Sequence, residues 1–102
     1  MIDITMYIDD NNFELSVEGH AEYAEIGKDI VCAGISAITS GVIKALERSN
    51  ADIEISEGNA HIQLFYSDSM YDYVHGIYDV ADGGYTMIAE NYPEYADYNP
   101  LG

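Results

Sequence analysis

The hydrophobic period of this chain switches from two to 3.6, back to two, and then to 3.6 again, so the fold must alternate paired strands with single helices. Ile2, Ile4, Met6 and Ile8 alternate with Asp3, Thr5, Tyr7 and Asp9, the pattern of a half-buried strand. Asp9-Asp10-Asn11-Asn12 is turn chemistry. Phe13, Leu15 and Val17 then alternate with Glu14, Ser16 and Glu18, which makes the second strand of a hairpin that Gly19 ends. From Asp29 the period lengthens: Val31, Ile35, Ile38, Val42 and Leu46 fall on one stripe of a helix, with Ala45 filling in. Gly34 beside that stripe admits a close neighbour, and Arg48 suits the negative end of the helix dipole. Residues 51–56 and 60–66 alternate again around the turn Glu57-Gly58-Asn59. Ser67 or Asp68 is positioned to cap a second helix. Its expected face is Tyr73 or Val74, Ile77, Val80 or Ala81, Gly84 and Ile88, and Pro93 stops it. Gly83-Gly84 costs that helix about 2 kcal/mol against alanine. The tyrosine-rich tail adds a short strand.

The predicted order is ββαββα, an α+β fold with a mostly antiparallel sheet and two amphipathic helices in a two- or three-layer arrangement. At 102 residues the chain is expected to form a single domain over its whole length. No apolar run approaches the roughly 20 residues of a membrane span. The start, MIDITMYIDD, lacks the basic beginning and apolar block of a signal peptide. One cysteine forms neither an internal disulfide nor a thiolate metal site, and no His, Asp or Glu spacing supplies three or four convergent ligands, so neither metal nor cofactor is expected. The expected setting is cytoplasmic, with a reduced thiol. Nineteen acidic residues against Lys28, Lys44 and Arg48 give a formal charge of −16. That field repels phosphate backbones and anionic lipid, which argues against nucleic acid and membranes as partners, and it attracts basic protein.

The stretch GHAEYAEIGKDIVCAGISAI, residues 19–38, carries the chemistry. With Asp29 as N-cap, Ile30, Val31 and Cys32 become the first three helical residues. First-turn N–H groups and the helix dipole favour negative charge there, the condition under which cysteine becomes a nucleophile. Cys32 falls at the edge of the buried stripe, sheltered on one side and open on the other. His20 lies where the second strand leaves the sheet, and a helix packed across that sheet could return its start to the same place. His20 could then take the proton of Cys32. The connection of residues 21–28 is long for a strand-to-helix loop, and Gly19 and Gly27 bracket it. From spacing alone both readings of Cys32 stand, a small buried hydrophobe or a nucleophile. His61 and His75 have no comparable context.

Gly19-His20-Ala21, a short loop ending at Gly27, then Asp29-Ile30-Val31-Cys32-Ala33 and Ser36-Ala37, resembles the ribosomal-processing cysteine protease (Prp) family. The element order and the MIAENYPEY end of the second helix fit as well, so the resemblance covers essentially the whole chain. It implies a bacterial, homodimeric endopeptidase that removes a short N-terminal extension from large-subunit ribosomal protein twenty-seven before or during ribosome assembly. It implies Cys32 as nucleophile, His20 as general base and acid, and Asp29 and Ser36 in support. It also implies a substrate-covering loop that includes Gly19, Ala21, Tyr23 and Gly27. A groove lined by Ala21, Tyr23 and Ile26 would receive an apolar, aromatic-rich segment. The competing function is a non-catalytic acidic dimer that holds a basic ribosomal protein, with Cys32 inert.

Overall fold

The computed structural model describes residues 1–20, 24 and 29–101. Strands β1 (Ile2–Ile8) and β2 (Asn12–Gly19) form the first hairpin. Helix α1 (Ile30–Leu46) follows, then β3 (Asp52–Ser56) and β4 (Asn59–Phe65). A single 3-10 turn leads into α2 (Tyr71–Asn91), and β5 (Ala96–Pro100) ends the chain. The sheet order is β3-β4-β2-β1-β5, antiparallel except where β5 lies parallel to β1. The fold is therefore α+β, with both helices on one face of a five-stranded sheet.

The turn between β1 and β2 is closed by Asp9, whose Oδ1 accepts from the backbone N–H groups of Asn11 and Asn12. Those bonds, the Asn11 N–H above all and the Tyr7 hydroxyl next, hold its carboxyl below the usual carboxylate range. Alternation then decides which face is covered. Ile4, Met6, Phe13, Leu15, Ile62 and Leu64 all turn inward and lose essentially all solvent contact. Burial of each such side chain contributes on the order of 1.5–3 kcal/mol. The opposite face stays open, and Asp3, Glu14, Glu18, Asp52, Glu54 and Asp97 lie on it.

Helix α1 buries Val31, Ile35, Thr39, Val42 and Leu46, close to the expected stripe. Helix α2 resolves the two open positions of its expected face and adds to it: Val74 and Ala81 are buried while Tyr73 and Val80 face solvent, and Tyr78 and Tyr85 join the buried row. Two tyrosines take places that a purely apolar stripe would not assign them. The Tyr85 hydroxyl is satisfied inside by Thr39 Oγ1 at 2.7 Å, so the ring can be buried without an orphaned polar group. Ile77, Gly84 and Ile88 form a second, half-buried row against α1. A Cβ on Gly84 would stand 2.7 Å from Ile38 Cδ1, and one on Gly34 would stand 3.1 Å from Ile88 Cδ1. Close helix approach thus gives Gly84 a packing role, whereas a Cβ on Gly83 would meet nothing within 4 Å. The helix begins later than Ser67 or Asp68, and neither gives it a side-chain cap bond. The tail strand pairs with the edge of β1, with Pro100 at its end, where a missing N–H is tolerated.

Candidate active site

Register brings one end of the hairpins together. Ile2 pairs with Gly19 and Glu18 with Asn59, so the start of β1, the end of β2 and the β3–β4 turn meet at one edge of the molecule. Gly19 is the last residue of β2, at φ +99°, and a Cβ there would stand 2.5 Å from the Met1 carbonyl oxygen. Only glycine fits this conformation and this gap. Its N–H donates to the Gly58 carbonyl at 2.7 Å, which ties the strand end to the turn between β3 and β4. His20 follows immediately and is exposed.

The start of α1 lies at the same place. Asp29 is the N-cap, and its Oδ1 accepts from the Cys32 N–H at 2.9 Å. Cys32 is therefore the third helical residue, half-buried, with its side chain at the edge of the core. The bond to Asp29 engages the amide of Cys32 itself, so that N–H is not on offer to a developing oxyanion. Ser36, one turn further along α1, is exposed.

His20, Cys32 and Ser36 line one cavity of about 290 Å³. Its wall continues along α1 through Ile35, Thr39, Ser40 and Ile43, and along the second hairpin through Ile55, Ser56, Gly58, Asn59 and Ala60. On β3, at one edge of the sheet, Ile55 lines the cavity and is 65% exposed. One end thus carries a thiol and an imidazole, and the remainder carries branched apolar side chains with hydroxyls between them. Such a cleft can hold an extended segment with an apolar side chain beside a nucleophile.

Ala21, Tyr23, Ile26 and Gly27 lie outside the described residues. The apolar wall formed by Ile35, Ile43 and Ile55 was not foreseen as a site, although the Glu57-Gly58 turn signal already placed a second hairpin in the fold. The other histidines are elsewhere. His61 Nε2 stands 3.5 Å from Glu14 Oε1 on the open sheet face, and His75 bonds to Tyr66 at the far end of the sheet. A larger groove of about 770 Å³ runs between α1 and α2, lined by Ile38, Gly41, Ile77 and Val80 among others, with Asp72 its one charged residue. Among the described residues no group of three or more His, Cys, Asp or Glu is arranged to hold a metal ion, and no helix is long and apolar enough to cross a membrane.

Comparison with known proteins gives the arrangement a context. Residues 1–97 match the family described as cysteine protease Prp. The chain belongs to that family. The ribosomal processing cysteine protease Prp of Staphylococcus aureus is 34% identical over 67 residues, which cover 61% of this chain and 63% of that protein. The chain thus spans just under two thirds of that relative's length. Its Bacillus subtilis counterpart is 46% identical over 35 residues, 34% of this chain and 30% of that one. The fold is similar to that of S. aureus Prp in complex with a covalently linked product peptide, with a TM-score of 0.80 and 27% identity over 99% of this chain and 100% of that one. It is also similar to S. aureus Prp in complex with a substrate peptide, with a TM-score of 0.74 and 26% identity over the same shares.

Proposed function

We propose that this chain is a Cys–His endopeptidase that removes a short N-terminal extension from large-subunit ribosomal protein twenty-seven. The observation that carries the reading is the shared cavity: the one thiol of the chain, at a capped helix start, and His20, at a strand end, line the same cleft. Membership of the Prp family supports it, as does the peptide bound to the similar S. aureus structures.

The Cys32 thiolate attacks the scissile carbonyl carbon. As the C–N bond breaks, the His20 imidazolium gives its proton to the leaving amine, and the trimmed protein departs. The N-terminal segment remains on Sγ as a thioester. Water then gives a proton to His20 and attacks that thioester, releasing the segment as a carboxylate and restoring the thiol. Asp29 fixes the helix start and with it the position of Sγ. Ser36, on the same cleft wall, contacts the substrate. The apolar wall of Ile35, Ile43 and Ile55 receives an apolar side chain of the segment to be removed. The six carboxylates of the open sheet face add to a field that draws a basic protein and repels assembled ribosomal RNA, so processing precedes assembly. The setting is a bacterial cytoplasm and the working form a homodimer, which a solution mass measurement reads directly.

The test is to incubate the protein with the ribosomal protein carrying its N-terminal extension and to weigh the products. Two fragments are expected from the parent protein and none from Cys32→Ala. An intact ribosomal protein after incubation with the parent, or cleavage by Cys32→Ala, overturns the reading.

A further inference from the structure

We propose that Gly58, in the turn between β3 and β4, is a positioning residue for His20: the imidazole rests against its bare α-carbon. This inference rests on the Cys32–His20 reading above. A Cβ built on Gly58 would stand 2.7 Å from His20 Nε2, 3.2 Å from Cε1 and 3.4 Å from Cδ2. The first of these distances is closer than a carbon and a nitrogen can pack, so any side chain at 58 displaces the ring. Gly58 also accepts the Gly19 N–H at 2.7 Å, one residue before the histidine. The same turn residue therefore sets the backbone that leads into His20 and the surface on which its ring lies.

His20 is exposed, and among the described residues no side chain forms a hydrogen bond with its ring. His75 differs: it is bonded to Tyr66 and stacked on Tyr71 at 3.8 Å between ring centres. An exposed imidazole without such a clamp samples several rotamers, and proton exchange with a thiol requires one of them. The turn restricts that choice sterically. It also gives the second hairpin a role in the reaction, although none of its residues is placed to react.

Gly58 lies at φ +77°, so the turn itself favours glycine, and the test must separate turn from seat. Asparagine tolerates positive φ and keeps the turn while adding a Cβ. Gly58→Asn is therefore compared with the parent and with His20→Ala in two measurements. Proton NMR follows the imidazole resonances of the three histidines, with His20→Ala assigning that of His20. Iodoacetamide alkylation at neutral pH follows the single cysteine. The expected result for Gly58→Asn is a moved His20 resonance, unmoved His61 and His75 resonances, and alkylation slowed at least about tenfold, toward the His20→Ala rate. A His20 resonance that stays in place, or parental alkylation when His20→Ala is slow, overturns the proposal. If His20→Ala alkylates as fast as the parent, the Cys–His reading fails, while the NMR arm still decides whether Gly58 seats the ring. Should Gly58→Asn not fold, Gly58→Ala adds the same Cβ with the smallest side chain, and the same outcomes decide.

Discussion

The two ends of the sheet each hold a histidine, and they hold it in opposite ways. At the far end Tyr66 closes a compact network: its hydroxyl donates to the Asp9 carbonyl and therefore accepts from His75 Nε2, at 3.0 Å. Tyr71 stacks on the same ring, and Asp9 in turn accepts from the Tyr7 hydroxyl at 2.7 Å. The Tyr66 and Tyr7 hydroxyls are both engaged, and among the described residues no thiol stands beside His75. At the near end His20 is solvent-exposed, approached by the backbone of Gly58, and shares a cleft with Cys32. A clamped imidazole contributes to stability. On the proposed Cys–His reading, this difference separates a structural from a reactive histidine.

Mutations at the two ends should therefore split activity from stability. The largest effect belongs to His20→Ala, which is expected to lower kcat/KM by about 10²–10⁴-fold in a peptide-cleavage assay while the melting temperature holds. A comparable loss of activity from the corresponding change at His75 would erase the distinction. Next comes a pH effect in the core between the ends. Burial pushes the Tyr85 hydroxyl up to about 12, against the opposing effect of its hydrogen bond with Thr39. Its neutral form is thus favoured in the folded state, so the stabilisation is complete below pH about 10 and is lost as pH rises toward 12, on the order of 2 kcal/mol. Burial first, and then the hydrogen bond to Asp82, raise Tyr98 in the same direction. Tyr85→Phe should accordingly remove part, not all, of the alkaline loss seen in urea unfolding between pH 9 and 12.

Smaller effects sharpen the contrast. Tyr66→Phe removes the hydroxyl that links Asp9 and His75, and should lower stability by about 1–2 kcal/mol with kcat/KM within twofold of the parent. Asp29→Ala removes the cap of α1 and should lower stability by about 1 kcal/mol. Because that cap also places Cys32, its kcat should fall too, unlike that of Tyr66→Phe. Thermal unfolding and peptide cleavage, measured on both variants, read the split.

Much of this was legible in the sequence where the determining contacts are local. The alternation of Ile2 to Ile8, the α1 stripe and the Asp29 cap all follow from neighbours within a few residues, and each lies where expected. On α2, Val74 and Ala81 were among the expected residues but Tyr78 and Tyr85 were not, because tyrosine is ambivalent: the Tyr85 hydroxyl finds its partner, Thr39, on another helix. The pairing of β5 with β1 and the meeting of Gly19 with Gly58 depend on sheet order, which no local pattern specifies. For the same reason Cys32 and His20 could be named from a motif, whereas Ile43, Ile55 and Gly58 became visible only when the hairpins were laid side by side.

The most direct test of a covalent Cys32 reaction is the mass of the whole protein, acid-quenched within the first turnover on a ribosomal protein that carries its N-terminal extension. The expected spectrum contains the parent mass plus that of the removed segment less one water, attached at Cys32 as a thioester and released by hydroxylamine, and it lacks this species for Cys32→Ala. Cleavage that proceeds at the same rate in both proteins, with no adduct on either, would contradict the assignment of Cys32 as nucleophile.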